Sequence, residues 1–131
     1  MMIAIDDLAA LRAGAGIDAA QDAERATAAL LVRCPARLGD ILHVRGPGQG
    51  WGLWSADIDR PAAAAQARQI LDLVEARRLP HDFARGADSL TISIGIATTG
   101  LKTAAGAAEA RALEALGRAA SLGGNRIRWA D

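Results

Sequence analysis

Short apolar runs alternate along this chain with longer stretches of helical spacing. "MIAI" (2–5) closes on Asp6 and Asp7 and predicts a buried first strand. Helical spacing follows over Asp7 to Ala13, with Leu8 and Leu11 as the apolar face, and over Ala20 to Cys34, with Thr27, Leu30 and Leu31. Gly14 and Gly16 separate the two helices. "DILHV" (40–44) and "WGLWS" (51–55) are strand-like runs around the glycine loop "GPGQG", so they predict a hairpin. Pro61 stands in the first turn of the next helix, where its missing N–H costs nothing; Ala63, Ala67, Ile70 and Val74 recur at helical spacing, with an end near Leu79 before Pro80. In "SLTISIGIAT", Leu90, Ile92, Ile94 and Ile96 point one way and the small residues Thr91, Ser93, Gly95 and Ala97 the other. A uniformly small strand face admits either a helix backbone or a ligand. An alanine-rich helix from about Thr103 to Leu122 stops at "GGN", and "RIRW" is a last strand. The order β-α-α-β-β-α-β-α-β predicts an α+β fold, an α/β sandwich around a mixed sheet, with no internal repeat or linker.

At 131 residues the chain fits a single domain, 1–131, with one core. Lys+Arg and Asp+Glu balance at 15 each, so no overall positive field recruits nucleic acid or an anionic membrane. The apolar runs are too short to cross a bilayer and the first residues lack a signal-peptide pattern, so the expected location is the cytoplasm. The single cysteine, Cys34, has no disulfide partner or metal-ligand neighbour in sequence and reads as a half-buried core thiol.

Candidate chemistry is sparse. Glycine-rich "GPGQG" suggests a phosphate cradle, but a P-loop needs Lys and Ser or Thr after its last glycine, and here Trp51 and Gly52 follow. A hairpin turn accounts for the glycines. His43 and His81 show no metal or triad spacing and read as exposed or strand-packed. Asp6 and Asp7 at a strand end are either ligand or metal contacts or helix caps, and capping is the preferred role.

The stretches "IAIDDLAALRAGAGIDAAQDAERATAALL", "RLGD", "LTISIGIATTG" and "ALEALGRAASLGGNRIRW" resemble, in order and spacing, the GGDEF domain of bacterial diguanylate cyclases. "SIGIA" is similar to the family's "SIGVA" strand and "GGNRI" to its closing "GRNRV". The resemblance covers nearly the whole chain and implies a mixed sheet of about five strands wrapped by helices. The family's leading helix and "D-x-L-T-G-L-x-N-R" motif are lacking.

The departures fall where the resemblance would place chemistry. The family's first metal-binding Asp aligns with Ala4, while Asp6 keeps the second acid of the pattern. Counting from Trp51 puts the signature on Pro47 to Trp51, with Gly50 for the metal-binding Glu; counting from Asp40 puts it on Gly46 to Gly50. Neither register supplies a carboxylate. The family's guanine-reading Asn and Asp align with Arg12 and Gln21, and its phosphate-contacting Lys with Ala120. Metal neutralisation of developing charge supplies several kcal/mol in phosphoryl transfer, so the resemblance implies a degenerate domain with no catalytic residues, no metal and no cofactor. Arg37 and Asp40 match the family's inhibitory "Arg-x-x-Asp" site, where a guanidinium and a carboxylate can read guanine, with Arg68 as a third contact. The same spacing recurs at Arg85 to Asp88 and at Arg128 to Asp131, so position alone distinguishes Arg37.

Three functions follow. The first is an inactive signalling module in cyclic di-GMP-related regulation that contacts another signalling protein or a copy of itself, with Trp51 and Trp54 as anchors. The second is a cyclic di-GMP receptor using Arg37 and Asp40. The third is an active cyclase with metal ligands relocated to Asp6 and Asp7.

Overall fold

The computed structural model describes residues 1–34, 37–100 and 104–131. In chain order its elements are β1 (Met2–Ile5), α1 (Leu8–Ala15), α2 (Ile17–Leu31), β2 (Ile41–Gly46), β3 (Gly50–Trp54), α3 (Arg60–Arg77), β4 (Ile92–Ile96), α4 (Ala105–Ser121) and β5 (Ile127–Trp129). The expected β-α-α-β-β-α-β-α-β order is therefore the observed one, and the five strands form a mixed sheet in the order β2-β3-β1-β4-β5. β1 runs antiparallel to both β3 and β4, β2 antiparallel to β3, and β5 parallel to β4.

Strand parity sorts the sheet into two faces. Ile3, Ile5, Trp51, Leu53, Ile92, Ile94 and Ile96 pack with Leu11 of α1, Leu30 and Leu31 of α2, and Ile70, Leu71 and Val74 of α3. On the opposite face Met2 packs with Ala112 and Leu116 of α4. The small face of β4 takes a helix backbone: a Cβ on Gly95 would overlap the carbonyl oxygen of Ala112 and the nitrogen of Leu116. All five residues of β4 are buried, because both faces are covered.

Element ends differ from the sequence expectation in ways local chemistry explains. Gly14 lies inside α1, and the chain breaks only at Gly16, whose φ of 101° no other residue type adopts readily. α2 then starts at once, with Ala20 N–H bonding to Gly16 O, so it spans Ile17–Leu31 and not 20–34. It stops short of Cys34 because a residue preceding proline avoids the helical region, and Arg33 and Cys34 instead bond three residues back, to Leu30 and Leu31. α3 begins as expected, with Pro61 in its first turn and the Asp59 carboxylate accepting from Ala62 N–H at 2.8 Å; it ends at Arg77, two residues early, where Arg78 turns left-handed. The expected start of α4 at Thr103 lies outside the described residues. No described helix is long and apolar enough to cross a membrane.

Candidate functional site

The end of β1 meets the β2–β3 hairpin on one side and β4 and β5 on the other. On the hairpin side, the turn Pro47–Gln49 joins β2 to β3 across the pair Gly46 and Gly50, with a bulge between Val44 and Gly46. Gly50 has φ 82°, and a Cβ there would overlap the Ile3 carbonyl oxygen and stand 3.2 Å from Ala4 Cα. In the register counted from Trp51, the two positions where the resemblance expects metal-binding acids, Ala4 and Gly50, are thus neighbours with no donor side chain between them. In that register a divalent metal does not fit these residues: a hard cation needs carboxylate oxygens to balance its charge, and neither position presents one. The turn is instead tied to α2, where Glu24 accepts from Gly48 N–H at 3.3 Å.

On the other side, Asp6 is buried and its carboxylate is filled by donors. Thr91 Oγ1 donates at 2.7 Å, Ser93 Oγ at 2.6 Å and the Asn125 N–H at 2.7 Å. Asp7 occupies the N-cap position of α1 with left-handed φ 55° but makes no capping hydrogen bond. Its carboxylate accepts from the backbone N–H of Arg85 at 2.9 Å and from Arg85 Nε at 3.0 Å. Burial pushes the Asp7 carboxyl upward, but these Arg85 contacts, helped by His81, outweigh it and hold it below the usual carboxylate range. The expected capping role is therefore wrong for both acids: Asp6 ties β1 to β4 and to the turn before β5, and Asp7 ties α1 to the loop after α3. Among the described residues, no three His, Cys, Asp or Glu side chains converge as a metal cluster.

His81 is neither exposed nor on a strand. It is 2% exposed, and its Nδ1 accepts from Phe83 N–H, which leaves Nε2 to donate to the carbonyls of Asp6 and Asp7, each at 3.1 Å. His43 is strand-packed, its ring covering Gly52. Cys34 is half-buried, as expected; its thiol donates to Leu30 O, and burial pushes its pKa up.

The Arg37–Asp40 turn is bonded through Asp40 Oδ2, while Asp40 Oδ1 is buried with no partner among the described residues. Arg37 N–H donates to Asp40 Oδ2 at 2.9 Å, and its guanidinium donates to the carbonyls of Ala56 and Asp57 at 3.2 and 3.0 Å. Asp40 Oδ2 also accepts from Gln66 Nε2 at 3.2 Å. Burial pushes the Asp40 carboxyl upward, but the Arg37 N–H and the Gln66 amide prevail and lower it. Arg68 is not brought to this turn: two residues along α3 from Gln66, it points away and pairs with Asp72 at 3.6 Å. Trp51 is no surface anchor, since β3 parity turns it into the core, where it is 4% exposed. Trp54 is half-buried and lines an open groove of about 540 Å³ with Met2, Ile58, Ala97, Ala108 and Glu109. Arg12, Gln21 and Ala120 are exposed.

Sequence reasoning missed Glu24, Gln66, Arg85 and Asn125 as partners; Arg85 stands in an Arg-x-x-Asp match and Asn125 in "GGNRI", but neither pattern points to Asp6 or Asp7. Thr91 and Ser93 did leave a signal, as the polar members of the small strand face.

No family model matches this chain, and no curated protein does. Solved structures do. The GGDEF domain of DgcB from Caulobacter crescentus, in complex with c-di-GMP, superposes with TM-score 0.84 at 20% identity, covering 98% of this chain and 75% of that one. The coiled coil and GGDEF domain of the same protein, also with c-di-GMP, gives 0.82 at 20% identity over 98% and 66%. The active GGEEF domain of a diguanylate cyclase from Vibrio cholerae gives 0.76 at 18% identity over 98% and 80%. The chain has the fold of the GGDEF domains of diguanylate cyclases.

Proposed function

We propose that this domain is a degenerate, catalytically inactive member of the GGDEF fold that works in the cytoplasm by protein contact in cyclic di-GMP-related regulation. The observation that carries this reading is the juxtaposition of Ala4 and Gly50, the metal-acid positions in the register counted from Trp51: they meet, the backbone at Gly50 leaves no room for a side chain, and the other register supplies no carboxylate either. Asp6 and Asp7 are occupied by protein donors, which weighs against relocated metal ligands. The groove beside Trp54 adds an apolar concave surface that a protein partner can contact. Incubation with GTP and Mg²⁺ or Mn²⁺, followed by chromatography of the nucleotides, tests the reading: the expected result is unchanged GTP, and accumulation of cyclic di-GMP overturns it.

A second reading rests on Arg37 and Asp40, which stand three apart at a partly exposed turn in a fold whose solved neighbours include complexes with c-di-GMP. In this reading the protein is a cyclic di-GMP receptor. Binding requires the Arg37 guanidinium to leave the carbonyls of Ala56 and Asp57. Calorimetric titration with cyclic di-GMP decides it, with Arg37→Ala as control: micromolar binding lost in the variant establishes a receptor, and no heat in either protein removes this reading.

A further inference from the structure

The two edges of the sheet are protected unequally. β5 is three residues long; Arg118 donates to the Trp129 carbonyl, and the Arg60 guanidinium lies 4.0 Å from the centre of the Trp129 ring. β2 runs for six residues at the other edge, and among the described residues no strand pairs with its outer side. The ladder identifies its open groups. Leu53 exchanges both backbone hydrogen bonds with Met1, so the N–H and C=O of Gly52 and Trp54 face β2, where they meet His43 and Ile41. Alternation then turns the N–H and C=O of Leu42 and Val44 outward. β2 itself carries two of the seven large apolar side chains exposed among the described residues, Ile41 and Val44, and a third, Val32, lines a pocket with Leu42, so the unprotected edge is also apolar.

We propose that β2 pairs antiparallel with β2 of a second copy of this chain, each His43 lying opposite the partner's His43 across a two-fold axis. Such an axis stands normal to the sheet, so facing residues share parity. Centring on His43 sets Leu42 opposite the partner's Val44, and the reverse, and matches every open N–H and C=O on both strands. Centring on Leu42 sets Val44 against the partner's Asp40, whose N–H is already bonded to Arg37; centring on Val44 sets Leu42 against the partner's Gly46, beyond the bulge. Charge does not oppose this register: Arg45 is drawn to Glu109 on the α4 side of the sheet, and the Asp40 carboxylate is held by Gln66 on the α3 side. The two Arg45 side chains fall four residues apart, roughly 13 Å. A six-residue edge with its apolar rim offers less than the roughly 800 Å² per partner of a stable interface, so the dimer is weak. This inference rests on the protein-contact reading and supplies its surface and occupant.

Two experiments test it. In a Cys34→Ser background, His43→Cys puts two thiols on a non-hydrogen-bonded pair with Cα atoms about 4.5 Å apart, within disulfide reach, whereas Ile41→Cys holds them roughly 13 Å apart. Mild oxidation should link the first into a covalent dimer and leave the second monomeric; equal linking, or none in either, overturns the register. Sedimentation velocity of the unmodified protein up to high micromolar concentration should show self-association that Val44→Lys weakens by roughly tenfold, since edge lysines oppose strand pairing. A protein that stays monomeric throughout overturns the proposal. A dimer untouched by Val44→Lys also overturns it, while leaving self-contact through another surface. Turnover of GTP, by contrast, removes the inactive reading and leaves the β2 result standing.

Discussion

Asp6 shows how a residue in a familiar chemical position can be wholly consumed by structure. Its buried carboxylate receives two hydroxyls and one backbone N–H from two other strands' surroundings, which makes it a joint. Replacing it with alanine leaves Thr91, Ser93 and Asn125 with unmet buried donors at about 1–3 kcal/mol each. Asp6→Ala should therefore lose at least about 3 kcal/mol of stability in a urea melt, with Asp6→Asn losing less. Asp7 adds a pH signature. Its folded pKa is held below the ordinary value by Arg85, so its contribution is present above the unfolded pKa, about 3.9, and is lost as pH falls through the folded one. The stability difference between the native protein and Arg85→Ala, read from melts across pH, should be present at pH 6 to 7 and shrink below about pH 4. Neither role was legible from the sequence. The partners of Asp6 lie 85 to 119 residues away, and a pair of acids after a strand looks the same whether it caps, ligates or braces.

At the scale of elements the sequence spoke more clearly, because period and punctuation are local. All nine elements appear in the expected order, and the alternation in "SLTISIGIAT" correctly marked β4 as a strand with a small face. That face was ambiguous between helix and ligand until the approach of α4 at Gly95 decided it. Gly95→Val must push α4 off the sheet; a loss of about 3 kcal/mol or more is expected from the clash with helix backbone, measured by chemical denaturation, along with raised hydrogen exchange in α4. Helix ends were less legible. Gly14 looked like a breaker yet sits in α1 with the Phe83 ring against it, a contact set by a loop almost seventy residues on. Trp51 and Trp54 differ only in strand parity, and parity alone sent one into the core and left the other at the groove.

The whole molecule is lopsided, with three helices over one face of the sheet and α4 alone over the other. β1 and β4 are central and paired on both sides, so their amides should exchange most slowly, at the rate of global unfolding, while the outward amides of Leu42 and Val44 exchange fastest among the strands at low concentration and slow as concentration rises. Deuterium uptake followed by mass spectrometry checks both. The hairpin packed beside β1 bears on the history open to this chain. With Gly50 left-handed against the Ile3 carbonyl, a codon change to glutamate at that position delivers a misfit instead of an acid, and one at Ala4 delivers an acid without its companion. An acid at Gly50 therefore requires the turn to be rebuilt before the side chain fits, so this hairpin constrains which substitutions the chain tolerates there.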